Sequence, residues 1–410
     1  MKPVKSVLAA SALLFGLAAC TSLEPSETPT PADADAETTA TLETADAPAE
    51  AVTAPPPGPP SFSTAILRNL PSGIVAGAET PRTFTQTETL TDFSAASDYA
   101  EAMQSFAFLV WHDGALKYAE YFAPHNETLR PESASMHKSV AALVIGAAID
   151  AGYISGTDAE IGTYITEWAE DPRGDITIEQ LLTMSSGLKP LSSDGGMQSD
   201  SMRFMRGENA RETLLNLELS NAPGSVFHYA GTVNQLLGLI IERTSGQPYE
   251  QVLSDRIWAP IGAGDALVWH NEPDGFARTH TGLLAVAEDW LKIGLLVKDL
   301  GALGDDQIVS ADFVAAMTSP SSANPNYGYQ TWLGTTFEAQ RYYNDAKQGF
   351  AILASEPFLV DDMIYFDGFG GQRVYISRSL DLVIVRSGEI RFDWDDTKLP
   401  NLVITALQAD

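Results

Sequence analysis

The sequence predicts an α+β fold. One antiparallel sheet is built from both chain ends and flanked by helices, with a mainly helical subdomain inserted between. Three observations carry that prediction: a pair of strand-like runs between about residues 106 and 122, four more between about 351 and 385, and a middle of short helices and loops. At 410 residues, 44% of them hydrophobic, the chain can bury a large core.

Taken in order, the chain opens with Lys2 and Lys5, followed by an apolar run from Val7 to Leu17. That run is too short to span a bilayer stably, so residues 1–19 are expected to be a secretory signal. Cys20 is the only cysteine, so no intrachain disulfide can form. Residues 20–61 are rich in Thr, Ala, Pro, Asp and Glu, carry no Lys or Arg, and end in Pro55-Pro56-Pro57-Gly58-Pro59-Pro60. Such a stretch has too little apolar surface to fold and is expected to be a disordered, acidic tether.

Folding signals begin near Phe62, and residues 62–410 are expected to form one domain. Phe106 to Trp111 is apolar and β-prone, His112-Asp113-Gly114 supplies a turn, and Leu116 to Phe122 returns as a second strand. A long helix is expected from about Ser135 to near Gly152, because Met136 to Ile149 holds no proline and one glycine. Leu236 to Thr244, closed by Gly246, and Val286 to Lys298 read as further helices. Strands are expected at Ala351 to Ala354, Met363 to Phe366, Val374 to Ile376 and Leu382 to Val385, and a last helix from about Lys398 to Leu407.

Charge and missing motifs narrow the function. Against 24 Lys and Arg stand 54 Asp and Glu, a formal net charge of -30. Nucleic acid and bare anionic membrane would be repelled, so neither is an expected partner. There is no Gly-x-Ser-x-Gly elbow and no phosphate-binding loop, and Gly368-Phe369-Gly370 has Arg373 where a dinucleotide fingerprint needs glycine. The histidines, at 112, 125, 137, 228, 270 and 280, show no metal-ligand spacing. Neither a metal nor a cofactor is expected.

What remains is Ser-x-x-Lys, which occurs twice. Ser186-Gly187-Leu188-Lys189 precedes Pro190, so it reads as a turn in which the two side chains need not face each other. Ser135 and Lys138 instead open the long helix, where residues three apart share a face. A serine needs a base to take its proton, and burial against an apolar helix would favour the neutral amine of lysine. The helix start adds N–H donors suited to an oxyanion.

Several stretches, in order, resemble the serine β-lactamase and penicillin-binding superfamily, in its class C-like esterase and 6-aminohexanoate-dimer hydrolase branch. Ser135-Met136-His137-Lys138-Ser139 is similar to the nucleophile motif. Thr177-Ile178-Glu179-Gln180-Leu181-Leu182-Thr183-Met184-Ser185-Ser186-Gly187-Leu188 resembles a second family segment. Pro223-Gly224-Ser225-Val226-Phe227-His228-Tyr229 resembles the approach to the catalytic tyrosine, with Leu236-Leu237-Gly238 in the helix after it, and Gly368-Phe369-Gly370-Gly371-Gln372 a variant third motif.

The resemblance implies that Ser135 is the acylated nucleophile, with Lys138 and Tyr229 as a coupled base in which the lysine cation lowers the tyrosine. It places the oxyanion hole at the Ser135 N–H and an amide of Phe369 or Gly371, and substrate contacts at Gly368, Gly370 and Gln372. Two departures argue against efficient β-lactam or D-Ala-D-Ala chemistry. Tyr229-Ala230-Gly231 ends in glycine where the family has a side chain, and the third motif lacks its lysine.

The expected activity is therefore hydrolysis of small esters or amides through an acyl-enzyme. The alternatives are β-lactamase or penicillin-binding activity, which strong labelling by a fluorescent penicillin would reveal, and a non-catalytic binding lipoprotein. Leu17-Ala18-Ala19-Cys20 resembles the bacterial lipobox, which implies lipidation of Cys20. With Thr21 next, the resemblance favours the outer membrane, facing the periplasm. The membrane would then be touched only through that anchor.

Overall fold

The computed structural model describes residues 70–272 and 275–409. The expected signal, Cys20 and the tether lie outside the described residues, as do the first residues of the expected domain.

The main sheet has six antiparallel strands and draws on both ends of the folded region. From one edge the order runs Ala115–Tyr121, Ser105–His112, Leu382–Gly388, Gln372–Ser377, Ile364–Gly368 and Trp332–Leu333. The first two strands form a hairpin closed by Asp113 (φ 46°) and Gly114 (φ 72°). Two successive left-handed residues match the twist of the flanking strands. Every residue of Gln372–Ser377 and Leu382–Gly388 is buried, so these central strands are covered on both faces.

Helix Ala287–Lys298 packs on three of these strands. Gly294 permits the close approach, since a Cβ there would meet Val383 and Val374. Helices Ser94–Ala102 and Lys398–Gln408 pack against each other, and the former also lies on Ser105–His112.

The middle of the chain is mainly helical, as expected, and two of its helices meet the helix that follows Ser135. His137–Asp150 lies against Gly231–Ser245 and Ala311–Met317. The helix Gly231–Ser245 ends at Gly246 in the left-handed conformation (φ 70°) that favours glycine.

Two details differ from the sequence reading. Ala351–Leu353 pairs with Gln340–Tyr342 as a separate ribbon instead of joining the main sheet, and its Leu353 is exposed. A small three-stranded sheet, Ser72–Val75, Ala266–Trp269 and Leu283–Leu284, stands beside the main one. Its strands are too short for a pattern of alternation to mark them.

Candidate active site

Ser135, the candidate nucleophile, sits at a tight entry to its helix. The Ser133 N–H donates to the Leu283 carbonyl at 3.1 Å, and Glu132 bridges to Leu284. The Glu132 carboxylate in turn accepts from Thr281 Oγ1 at 2.7 Å and the Gly282 N–H at 2.6 Å. Ala134 then takes a left-handed backbone (φ 49°), a strain of order 1 kcal/mol at a residue with a Cβ. A short 3₁₀ turn, Ala134–Met136, leads into the helix His137–Asp150. Ser135 is thereby left partly exposed while Met136 and the residues after it are buried.

One turn on, Lys138 is only 3% exposed. Its Nζ lies 2.7 Å from Ser135 Oγ and donates to the His280 carbonyl at 2.8 Å. It also stands over the Tyr229 ring, 4.8 Å from the centroid. Burial pushes this amine down from its usual 10.5 to about 7, against the pull of the Asp367 and Glu132 carboxylates. That depression removes roughly 5 kcal/mol of the preference that the ammonium has over the amine in water. A neutral amine can keep one N–H on His280 and turn its lone pair to the serine hydroxyl.

Tyr229 is partly buried, and its N–H donates to the Tyr343 carbonyl at 3.0 Å. Its phenol is a hydrogen-bonding neighbour of the Ser135 side chain, yet it is pushed up from its ordinary value, not lowered. Burial is the first cause and the Asp367 carboxylate the second; the Ser135 hydrogen bond and the Arg341 and Arg373 cations oppose them. The expectation of a tyrosine lowered by a lysine cation is thus reversed. Lys138 is not among the groups that act on the phenol; burial disfavours the phenolate, and a carboxylate lies close by.

The strand Ile364–Gly368 ends against the segment that carries Ser135: a Cβ on Gly368 would collide with the Ser133 carbonyl and crowd Met136. Gly370 and Gly371 are left-handed, at φ 75° and 91°. A Cβ on Gly370 would strike Ile390, and one on Gly371 would lie 2.7 Å from the Trp394 ring, so packing as well as backbone demands glycine at both. Phe369, just before them, is partly buried.

Gln372, expected to contact substrate, does not have a free side chain. Its amide donates to the Gly388 carbonyl at 2.8 Å and accepts from the Gly388 N–H at 2.9 Å, where the sheet register shifts. The side chain ties its strand to Leu382–Gly388 beyond the last backbone pair, Arg373 with Arg386.

Behind the strand lies a buried ion network absent from the sequence reading. Arg373 is fully buried, donates to the Gly368 carbonyl at 2.6 Å, and pairs with Asp367 and Asp396. Arg341 pairs with the same two carboxylates, and the Tyr343 hydroxyl donates to Asp367 at 2.7 Å. Two cations answer two anions, the condition under which buried charge is tolerated.

The remaining candidates separate cleanly. His137 is buried, with Nδ1 3.0 Å from the Thr281 carbonyl and Nε2 3.0 Å from the Tyr249 hydroxyl. Burial lowers it to about 4, so it is a neutral structural group at neutral pH. At the second Ser-x-x-Lys, Ser186 is buried and accepts from the Leu188 N–H, whereas Lys189 is exposed and pairs with Glu218. Gly231 is explained by His280, whose Cδ2 would lie 3.0 Å from a Cβ there.

Sequence reasoning missed Asp367, Arg341 and Asp396, which are brought together from distant segments. It also missed His280, whose contribution to Lys138 is a backbone carbonyl that any residue could supply.

Residues 93–387 match the family described as Beta-lactamase. Among curated proteins, the chain is 26% identical over 230 residues to the 6-aminohexanoate-dimer hydrolase of Paenarthrobacter ureafaciens, covering 53% of this chain and 57% of that protein. It is 29% identical over 157 residues to Esterase EstB of Burkholderia gladioli, covering 35% and 40%. The match thus spans about half the length of these curated relatives. A solved Bacillus anthracis structure, described as a 6-aminohexanoate-dimer hydrolase, shares the fold with a TM-score of 0.66 at 19% identity, over 83% of this chain and 90% of that one.

Proposed function

The chain belongs to the beta-lactamase family, and from that premise we propose that it is a serine hydrolase that cleaves small esters or amides through an acyl-enzyme. The observation that carries the reading is the buried lysine amine, 2.7 Å from a partly exposed serine hydroxyl and held near neutrality by burial. The relatives named a hydrolase and an esterase point the same way.

In acylation, Ser135 Oγ attacks the substrate carbonyl carbon while its proton passes to Lys138 Nζ. The Ser135 N–H and an amide of Phe369 or Gly371 receive the developing oxyanion. The Lys138 ammonium returns the proton to the departing alcohol or amine, with the Tyr229 phenol as its hydrogen-bonding neighbour on the serine. Water then attacks the ester on Ser135, giving up its proton to the same amine, and the serine is released. Gly368 lets the strand edge approach the serine without a side chain in the way. Gly370 serves that same edge by shaping its turn.

The test is mass spectrometry after exposure to a fluorophosphonate. The modified peptide is expected to carry Ser135, and labelling is expected to persist in Ser186→Ala. A label on Ser186 alone would move the site.

We also propose that the protein is exported and lipid-anchored through Cys20, in the outer membrane facing the periplasm. The lipobox-like Leu17-Ala18-Ala19-Cys20 and the acidic, proline-rich stretch after it support this. Metabolic labelling with an alkyne fatty acid is expected to mark the wild-type protein and not Cys20→Ala. Equal labelling of both would remove the anchor.

A further inference from the structure

Three phenyl rings beside the site take no part in the steps above. Phe350 and Phe392 are 38% and 36% exposed. Phe369, from the third-motif turn, lies 5.6 Å from each, and Phe350 and Phe392 are 6.1 Å apart, centroid to centroid. They come from three separate segments and meet only through the fold.

The cluster is continuous with the chemistry. Phe350 stacks on Tyr343 at 6.5 Å with an interplanar angle of 11°, and Tyr343 lies 5.1 Å from Tyr229, the neighbour of Ser135. Large apolar side chains left half in water and grouped at one place are the kind of surface that a ligand covers.

The charges around it argue for an uncharged ligand. Lys347 is paired with Glu338 and Arg391 with Asp393. The buried Arg341 and Arg373 are held by Asp367 and Asp396. A substrate carboxylate would meet cations already neutralised, on a chain of net charge -30.

We propose that Phe350, Phe369 and Phe392 form the subsite for an uncharged apolar group of the substrate, an aryl ring or a chain of about four to six carbons. This rests on the hydrolase reading, and deepens it by naming the substrate class: neutral esters or amides with an apolar arm.

The test uses kcat/KM for two ester series, one lengthening the acyl chain from acetate to hexanoate on a constant alcohol, the other lengthening the alcohol from methyl to butyl and benzyl on acetate. In at least one series the long member is expected to exceed the short one by about tenfold. Phe350→Ala and Phe392→Ala are each expected to cut that ratio at least about threefold, whereas Phe337→Ala, an exposed aromatic outside the cluster, should leave it unchanged. Ratios flat in both series, or insensitive to both cluster variants, overturn the subsite while leaving the hydrolase reading intact.

A second arm needs no turnover. In Ser135→Ala protein, hexanamide is expected to bind about tenfold more tightly than acetamide by NMR titration, and Phe350→Ala added to it should erase most of that difference. Tight hexanamide binding by Ser135→Ala, together with a wild-type protein that no ester of either series acylates, would uphold the subsite and sink the hydrolase reading. Equal binding of the two amides, and of N-methylacetamide and N-butylacetamide as the alcohol-side pair, overturns the subsite.

Discussion

Lys138→Arg is expected to slow acylation of Ser135 by roughly 10⁴-fold, near the upper end of what a positioned base contributes. Guanidinium stays protonated at any working pH and cannot accept the serine proton. The wild-type rate has a matching pH signature. Only the neutral amine is the base, and burial places its midpoint at about 7. The acylation rate should therefore fall as pH drops through about 7 and level off above it. A lysine at its usual 10.5 would keep the rate climbing far beyond that point. Stopped-flow acylation by an activated ester across the pH range measures both quantities. Near-normal acylation by Lys138→Arg, with circular dichroism unchanged, would rule out the lysine as base and turn attention to His228, which is also depressed by burial.

The parts of this site that were legible in the sequence are those where one short segment does the work. Ser135 and Lys138 share a helix, so their spacing alone brings them together. The turn at Gly114, the cap at Gly246 and the central strands announced themselves by composition for the same local reason. What was not legible depends on where the fold puts distant residues. The pull of Asp367 on Tyr229 arises because Tyr343, which pairs with the Tyr229 backbone, also reaches Asp367 through its hydroxyl, and nothing at position 367 signals it. Gln372 reads as a substrate contact from its place in the family's third motif, but its amide is taken up by the Gly388 backbone. The partners of Arg373 were not legible, since strand alternation gives a face and not a partner; one of them, Asp396, lies beyond the next strand. Ala134 shows a further limit, since a strained backbone at an ordinary residue has no sequence mark.

The reversal at Tyr229 yields the second large effect. Tyr229→Phe is expected to lower acylation by roughly 10²–10³, the loss of one hydrogen bond that steers proton transfer at the serine. The ring contacts with Tyr327, Trp332 and Tyr343 remain, so the fold should be unchanged. The distinguishing readout is the midpoint of the pH–rate curve. Burial sets the Lys138 amine, with Asp367 and Glu132 as the charges acting on it, and the tyrosine is not among those causes. The midpoint should therefore stay near that of the wild type while the plateau falls. Were the tyrosine instead the base, held as phenolate by the lysine cation, its removal would free the lysine from its partner and displace the midpoint together with the plateau. A phenol pushed up by burial and by a carboxylate favours the first outcome, because the proton that a base must lack is the one this tyrosine keeps.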